Sequence, residues 1–348
     1  MKFFDDVKTI EEINARKEEF KKILQEEEYG YLPEAPLSVE GKVLAKNKYC
    51  AGRAFYEEIE LTIKTRLGDI VIPLIYCYKK GSIKKKTLVT LNFDAEVPNK
   101  YLLAEEILDN GWNFVAYNYQ NITIDPAREQ HWYTEAYAPM LRELSNPKAP
   151  AGKLMMWAWG AMRVLDYMLT REEVDPNNVG VTGHSRMGKT ALICGAFDER
   201  FKFTHSNDSG IGGASQFRMI NEKSEDIKFM YENVPYWFTE KYFSYIGKEH
   251  EMPFDQHYLL SLIAPRPLSV HSAVEDLWSN PDGELESCKL ATKAWNLYGK
   301  KGLVMDGELE IGKRYFEGMI SYHRRPDGHY FSREDWGVLL KFFDKYVD

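Results

Sequence analysis

The spacing of apolar residues changes from helical to alternating in the first part of the chain. Apolar positions recur at helical spacing over residues 10–28 and predict an amphipathic helix within an N-terminal helical segment, residues 1–30. Two alternating runs follow at 54–64 and 69–78, and they predict an antiparallel hairpin.

From residue 87 onward, short buried runs alternate with helical segments. Strands are predicted at 87–93, 112–119, 179–182, 201–206, 267–272 and 319–322. Helices are predicted at 101–110, 153–170, 189–197, 284–298 and from Arg333 onward. This alternation is typical of a parallel sheet with helices on both faces. We therefore expect an α/β fold: a three-layer sandwich around a doubly wound, mostly parallel sheet, with the N-terminal hairpin added, in a single domain over 1–348.

Two long connections interrupt the alternation, at residues 120–152 and 207–257. The first contains His131-Trp-Tyr and the second contains Pro235-Tyr-Trp-Phe. Long loops without regular structure inside a compact domain are usually functional. Both are therefore predicted to be active-site loops, whose aromatic rings could stack on a sugar or simply seal the loops onto the sheet.

The segment Gly183-His-Ser-Arg-Met-Gly-Lys189 carries the clearest chemical signal. A β-branched run ends at Gly183, Ser185 follows two residues later, and a helix-forming segment begins at once. Small residues around a serine at a strand-to-helix turn are typical of a nucleophile elbow. The second glycine, Gly188, comes one position later than usual, so an ordinary tight turn is the alternative interpretation.

The remaining members of a triad should follow in the order serine, acid, histidine, as in an α/β-hydrolase. Only His323 and His329 lie late enough, and His329 follows Gly328 in a loop before the last helix. An acid is expected just after the strand at 267–272, where Glu275 and Asp276 are adjacent. Sequence order does not decide between these two carboxylates.

Composition narrows the function classes. A net charge of −8 argues against broad binding to nucleic acid or to an anionic membrane surface. The four cysteines are isolated, which indicates neither a disulfide framework nor a zinc site. The N-terminus shows no signal-peptide pattern and no apolar run is long enough to span a membrane, so a cytoplasmic location is the expectation.

Several further motifs occur together and in order. They are Asn207-Asp-Ser-Gly-Ile-Gly-Gly213, Pro235-Tyr-Trp-Phe238, Pro253-Phe-Asp-Gln-His257, Ile263-Ala-Pro-Arg-Pro267, Glu275-Asp-Leu-Trp278 and Gly328-His329. With the elbow segment, they resemble the glucuronoyl esterases of carbohydrate esterase family 15 and their bacterial acetyl xylan esterase-like relatives. The resemblance extends from about residue 87 to the C-terminus.

The resemblance implies a role for each matching residue. That family cleaves esters between glucuronic acid carboxyls on xylan and lignin alcohols, without a metal. By this likeness, Ser185 is the nucleophile, His329 is the base and Arg186 helps to hold the oxyanion. Lys189 matches a lysine that contacts sugar hydroxyls, and Trp278 matches a tryptophan that lines the sugar site.

The chain departs from the fungal members at two positions. Asp208 stands where they carry a catalytic glutamate, and His184 stands where they carry a cysteine before the serine. Bacterial relatives with the same pattern place the acid after the following strand. Asp276 is therefore the preferred acid, followed by Glu275 and then Asp208.

The sequence thus predicts a serine carboxylic-ester hydrolase, a 4-O-methyl-glucuronoyl or glucuronoyl esterase that works through an acyl-enzyme. No metal or cofactor is expected, and the substrate is a small-molecule or oligosaccharide ester. An O-acetyl esterase or general carboxylesterase is the first alternative. A non-catalytic carbohydrate-binding protein that keeps the hydrolase fold is the second.

Overall fold

A computed structural model of the chain describes residues 3–125 and 134–347. Within these residues, ten strands form one sheet in the order β1-β2-β3-β5-β4-β6-β7-β8-β10-β9. The strands are β1 (Ser38–Tyr49), β2 (Ala54–Thr65), β3 (Gly68–Lys79), β4 (Lys85–Asn92), β5 (Asn113–Asn118), β6 (Val174–His184), β7 (Phe203–Asn207), β8 (Leu268–Ala273), β9 (Arg314–Tyr315) and β10 (Ile320–Arg325).

The centre of the sheet is parallel. Strands β5, β4, β6, β7, β8 and β10 run in the same direction, whereas β1 to β3 form an antiparallel meander at one edge. The predicted hairpin is therefore confirmed as β2 and β3. The sequence pattern missed β1, because the side chains of this edge strand are mostly exposed or half-buried and show no clear alternation.

Helices cover both faces of the sheet. They are α1 (Ile10–Leu24), α2 (Ala104–Asp109), α3 (Ala138–Glu143), α4 (Lys153–Met168), α5 (Arg186–Phe197), α6 (Ile227–Asn233), α7 (Gln256–Ser261), α8 (Pro281–Leu297) and α9 (Arg333–Asp344). Helices α1, α4, α5, α7 and α8 share one buried apolar cluster, and α2 and α9 share another. The predicted three-layer, mostly parallel α/β sandwich is confirmed. None of the described helices combines the length and apolarity that crossing a membrane requires.

The two predicted active-site loops differ in what the structure describes. In 120–152, the His131-Trp-Tyr motif lies outside the described residues, and helix α3 occupies part of the remainder. In 207–257, helix α6 is followed by a short helical turn, Pro235–Trp237, whose rings are buried. This turn packs beside the C-terminal ends of the parallel strands, where ligands bind in open α/β sheets.

Candidate active site

Ser185 lies at a sharp turn between β6 and α5. Its backbone has φ 58° and ψ −128°, a conformation that a residue with a side chain rarely adopts. The Ser185 N–H donates to the carbonyl of Asn207 at 2.8 Å, and the N–H of Gly188 donates to the Ser185 carbonyl at 2.8 Å. These bonds fix the strained backbone, as expected for a nucleophile elbow.

Each of the two glycines of the elbow stands at a position where a side chain would be crowded, but by a different neighbour. A Cβ on Gly183 would lie 2.2 Å from the carbonyl oxygen of Met187, and a Cβ on Gly188 would lie 3.0 Å from that of Asn207. Gly183 therefore lets the first turn of α5 close over the strand, and Gly188 lets α5 approach the end of β7. The late second glycine thus avoids a tight contact with the end of the neighbouring strand.

His329 is paired with Asp276. His329 lies in the loop that follows β10, and its Nδ1 is 2.6 Å from Oδ2 of Asp276. An ionised carboxylate only accepts hydrogen bonds, so Nδ1 carries the proton and Nε2 is left as the basic nitrogen. Burial would raise the pKa of Asp276, but the hydrogen bonds from His329 and Ser279 and the charge of His329 outweigh it. The pKa of Asp276 therefore lies below its usual value.

The other two candidate acids are placed differently. The side chain of Glu275 is exposed, and its N–H donates to the carbonyl of Asp327 at 3.0 Å. Asp208 is buried, and its Oδ2 accepts a hydrogen bond from Nη2 of Arg325 at 3.1 Å. Of the three carboxylates, Asp276 is the one whose oxygen hydrogen-bonds to the His329 ring.

Asp208, Asp276 and His329 also form the kind of group that can hold a metal ion. One ligand atom from each lies within 4.8 Å of the other two. However, Asp276 is already bonded to Nδ1 of His329, and Arg325 occupies Oδ2 of Asp208. The hydrogen bonds and the guanidinium charge account for this cluster of charged groups.

Arg186 follows the serine and reaches across the site. Its Nη1 donates to Oδ2 of Asp125, and its guanidinium lies 5.1 Å from the ring centre of Trp237 and 5.8 Å from that of Phe93. Asp125 also accepts hydrogen bonds from the Tyr236 hydroxyl at 2.9 Å and from Nε1 of Trp237 at 3.1 Å. The arginine side chain is therefore held in one orientation beside Ser185.

A cavity of about 320 Å³ lies at this point. Ser185, Arg186 and His329 line it together, and Phe93 and Tyr101 add aromatic rings. A nucleophile, a base with its acid and a cation thus meet at one cavity. This combination suits acyl transfer, in which a serine attacks a carbonyl and the developing oxyanion needs fixed donors.

The two predicted sugar-site residues differ in accessibility. Lys189 is only 3% exposed, and its Nζ donates to the carbonyls of Ser209 at 2.6 Å and Ile211 at 2.5 Å and to Glu225 at 2.8 Å. Its three N–H groups are thus used within the protein, and its contact with sugar stays a prediction. Trp278 is 44% exposed and lies two residues after Asp276, and its contact with sugar also stays a prediction.

Comparison with protein families now adds to this geometry. A family model described as glucuronyl esterase of fungi matches residues 100–299, more than half of the chain. The chain belongs to the glucuronyl esterase family. Its resemblance to this family, predicted from the ordered motifs, is confirmed.

Individual relatives point the same way. Carbohydrate esterase MZ0003, from an unknown prokaryotic organism, is 38% identical over 200 residues, which cover 58% of this chain and 46% of that protein. The 4-O-methyl-glucuronoyl methylesterase of Hypocrea jecorina (strain QM6a) is 28% identical over 306 residues, 85% of this chain and 60% of that protein. The chain thus spans about half the length of the curated relatives it matches.

Solved structures extend the match over nearly the whole chain. A glucuronoyl esterase from Solibacter usitatus superposes with a TM-score of 0.88 at 27% identity, over 98% of this chain and 95% of that one. A glucuronoyl esterase of carbohydrate esterase family 15 from Teredinibacter turnerae superposes with a TM-score of 0.85 at 22% identity, over 97% and 85%. The second likeness is one of fold.

Sequence reasoning assigned no role to His184 and did not identify Asp125 or Arg325. The ring of His184 lies beside that of His329, with centres 4.5 Å apart and planes tilted by 42°, and burial, followed by the His329 charge, lowers the pKa of His184 to about 3. Asp125 holds Arg186, and Arg325 contacts the loop of His329. A charged residue at the end of a buried strand was the available signal for Arg325, because such positions are rarely charged without a partner.

Proposed function

We propose that this chain hydrolyses esters of glucuronic acid or 4-O-methyl-glucuronic acid as a serine esterase. The observation that carries the proposal is the hydrogen bond between Asp276 and His329 at a cavity shared with Ser185 on a strained elbow. Membership of the glucuronyl esterase family supports the substrate class. Relatives named 4-O-methyl-glucuronoyl methylesterases support the acid part of the ester.

The reaction follows from the roles of the side chains. Nε2 of His329 accepts the proton of the Ser185 hydroxyl as the oxygen attacks the ester carbonyl, and the carbonyl electrons move to its oxygen. When the tetrahedral intermediate collapses, the alcohol leaves with the proton from His329 and an acyl-enzyme remains. Water then attacks by the same route, releases the acid and restores Ser185. Asp276 stabilises the imidazolium in both halves.

Arg186 is the proposed electrostatic partner of the oxyanion. Its contact with Asp125 uses Nη1, and the guanidinium carries further N–H groups that a substrate oxygen can accept. The N-terminus of α5 adds backbone N–H groups beside Ser185. Fixed donors of this kind act where negative charge develops and so favour the transition state over the ground state.

Trp278 is the proposed sugar platform. Its ring lies perpendicular to that of Phe229, with centres 4.6 Å apart, and 44% of the residue is exposed. Its carbonyl accepts the N–H of Glu225 at 2.9 Å, and Glu225 in turn accepts from Lys189. This chain of contacts joins the platform to the elbow helix. We propose that Lys189 contacts sugar hydroxyls when substrate displaces one of its carbonyl partners, Ser209 or Ile211.

The test compares two esters that share a leaving alcohol. Benzyl glucuronate and benzyl acetate are offered to the wild type and to Ser185→Ala, and a fluorophosphonate probe reports whether Ser185 is reactive. Faster turnover of the glucuronate ester, lost in the variant, is the expected result. Turnover of the acetate alone would replace the proposal with an O-acetyl esterase. Absence of both turnover and labelling would overturn esterase activity and favour a binding protein.

A further inference from the structure

The loop that carries His329 is wrapped around one guanidinium. Arg325 is the last residue of β10, and its Nη1 donates to the carbonyl of Pro326 at 3.0 Å. Its Nη2 donates to the carbonyl of Gly328 at 2.9 Å and to that of Tyr330. Carbonyls from alternate residues of the loop therefore converge on one side chain, and two of them flank His329 directly.

The same guanidinium also binds two carboxylates. Its Nε donates to Oδ2 of Asp335 at 2.7 Å, and its Nη2 donates to Oδ2 of Asp208 at 3.1 Å. Asp335 closes the capping box of α9, where Ser332 N–H donates to it at 2.8 Å. From the end of β10, Arg325 is thus bonded to the residue that follows β7, to the loop of His329 and to the start of α9.

The contacts of Arg325 are buried, and they depend on the planar shape of its guanidinium. Arg325 is 2% exposed, so an unpaired charge or carbonyl at this place would carry a large desolvation cost. The planar fork of arginine serves acceptors that lie in several directions, which the single ammonium group of lysine does not reproduce. Loss of the fork leaves the backbone on both sides of His329 free to shift.

We infer that Arg325 is a positioning residue, which holds the loop of His329 in the shape that brings Nδ1 to Asp276 and the ring to Ser185. Asp208 then belongs to the support of the loop, because it accepts from Arg325 and, at 3.4 Å, from the N–H of Tyr330. The inference rests on the proposed function for the role of His329 in catalysis. The geometry of the loop itself does not depend on that function.

Arg324 provides a matched control on the same strand. It is 8% exposed and donates to Asp282 at 2.7 Å, to the carbonyl of Pro281 at 2.6 Å and to the Tyr322 hydroxyl at 3.1 Å. These partners lie on β10 and at the start of α8, away from the loop of His329. Arg324 therefore resembles Arg325 in burial and pairing and differs in what it positions.

The experiment compares Arg325→Lys with Arg324→Lys by three measurements. These are the melting temperature, kcat and KM for benzyl glucuronate, and the downfield proton resonance of His329 Nδ1. The resonance is assigned by its absence in His329→Gln and Asp276→Asn. For Arg325→Lys we expect kcat to fall about 10- to 100-fold with KM little changed, because the base is misplaced. Its resonance should broaden or vanish, whereas Arg324→Lys should keep both kcat and the resonance.

Other outcomes would overturn the inference. One such outcome is that Arg325→Lys keeps the wild-type kcat and the wild-type resonance. Another is that kcat falls equally in both variants and that this fall follows the fall in their melting temperatures. If Arg325→Lys does not fold, Asp208→Asn takes its place, because it weakens the same support. It should broaden the resonance of His329 Nδ1, and an unchanged resonance would contradict the inference. If the wild type cleaves neither ester but the resonance responds as expected, the proposed function fails and the positioning role of Arg325 stands.

Discussion

Asp276 and Asp208 follow neighbouring parallel strands, β8 and β7, and both bring an oxygen near the ring of His329. Asp276 hydrogen-bonds to the ring, and its pKa is held below its usual value. Burial, and then the charges of Glu284 and Asp276, raise the pKa of Asp208 well above its ordinary value, although Arg325 acts in the opposite direction. Similar positions thus lower the pKa of the carboxyl group in one case and raise it in the other.

The difference teaches that proximity alone does not make a triad acid. The acid must be ionised while His329 is positively charged, and it must accept from Nδ1. Asp276 meets both conditions because Ser279 and His329 supply donors to its carboxylate. Oδ2 of Asp208 instead accepts hydrogen bonds from Arg325 and from the N–H of Tyr330, next to His329, so Asp208 supports the loop.

The largest expected effect is the difference in kcat between the variants Asp276→Asn and Asp208→Asn. We expect kcat to fall about 10⁴-fold in Asp276→Asn, because the amide favours the wrong histidine tautomer. Asp208→Asn should lose far less, since its position acts on catalysis only through the loop. Steady-state kinetics with benzyl glucuronate checks both. Equal losses in the two variants would mean that both carboxylates serve the base directly.

A smaller loss is expected at the oxyanion. Arg186→Met should reduce kcat about 10²- to 10³-fold, because one fixed donor to the developing charge is removed. Arg163→Met is the matched control, since Arg163 also pairs with an aspartate, at 2.6 Å, and packs over a tryptophan, but does not line the cavity. If both variants lose kcat alike, Arg186 has no special role beside Ser185.

How much of this site could be predicted depends on the distance along the chain between its parts. The elbow is local: Gly183, Ser185 and Gly188 form one continuous segment, and their spacing encodes the turn. The late histidine and the window for the acid follow from the order of strands. The choice of Asp276 over Glu275 depends on the direction in which each side chain points at the turn. The order of residues in the sequence does not specify this direction.

The missed residues act across longer distances. Asp125 reaches Arg186 from another loop, and Arg325 reaches both Asp208 and Asp335. No periodicity reports such contacts, because each is made by tertiary packing between separate segments. The fold was easier to predict, since the alternation of buried strands and helices is a local pattern, and β1 was missed because its edge position hides that pattern.

The elbow and the loop of His329 should also differ in their tolerance of an added methyl group. Gly183→Ala places a Cβ 2.2 Å from the Met187 carbonyl, whereas a Cβ on Gly328 has no neighbour within 4 Å. We expect Gly183→Ala to lower the free energy of unfolding by about 1–3 kcal/mol through overpacking. Gly328→Ala should stay near the wild type. Denaturant unfolding measures both, and a harmless Gly183→Ala would contradict the crowded elbow.

The smallest expected effect extends the comparison to a third carboxylate, Glu284. Its oxygens accept from the N–H groups of Ser209 and Gly210 at 2.8 and 3.0 Å and from the Ser272 hydroxyl at 2.5 Å. Burial nevertheless raises its pKa to about 7 from 4.5. The folded state therefore keeps a proton that the unfolded state releases, and this group makes stability fall as pH rises from about 4.5 to 7.

Asp276 acts in the opposite sense, because its lowered pKa gives stability that is lost as pH falls through the pKa of the folded state. Glu284→Gln cannot ionise and keeps an oxygen for the backbone donors, so its melting temperature should lack the decline between pH 5 and about 7. Calorimetry of both proteins across this range is the measurement, with Glu286→Gln as a half-buried control on the same helix. Parallel curves for the wild type and Glu284→Gln would show that Glu284 is ionised throughout. The contrast would then be confined to Asp208 and Asp276, the pair beside the base.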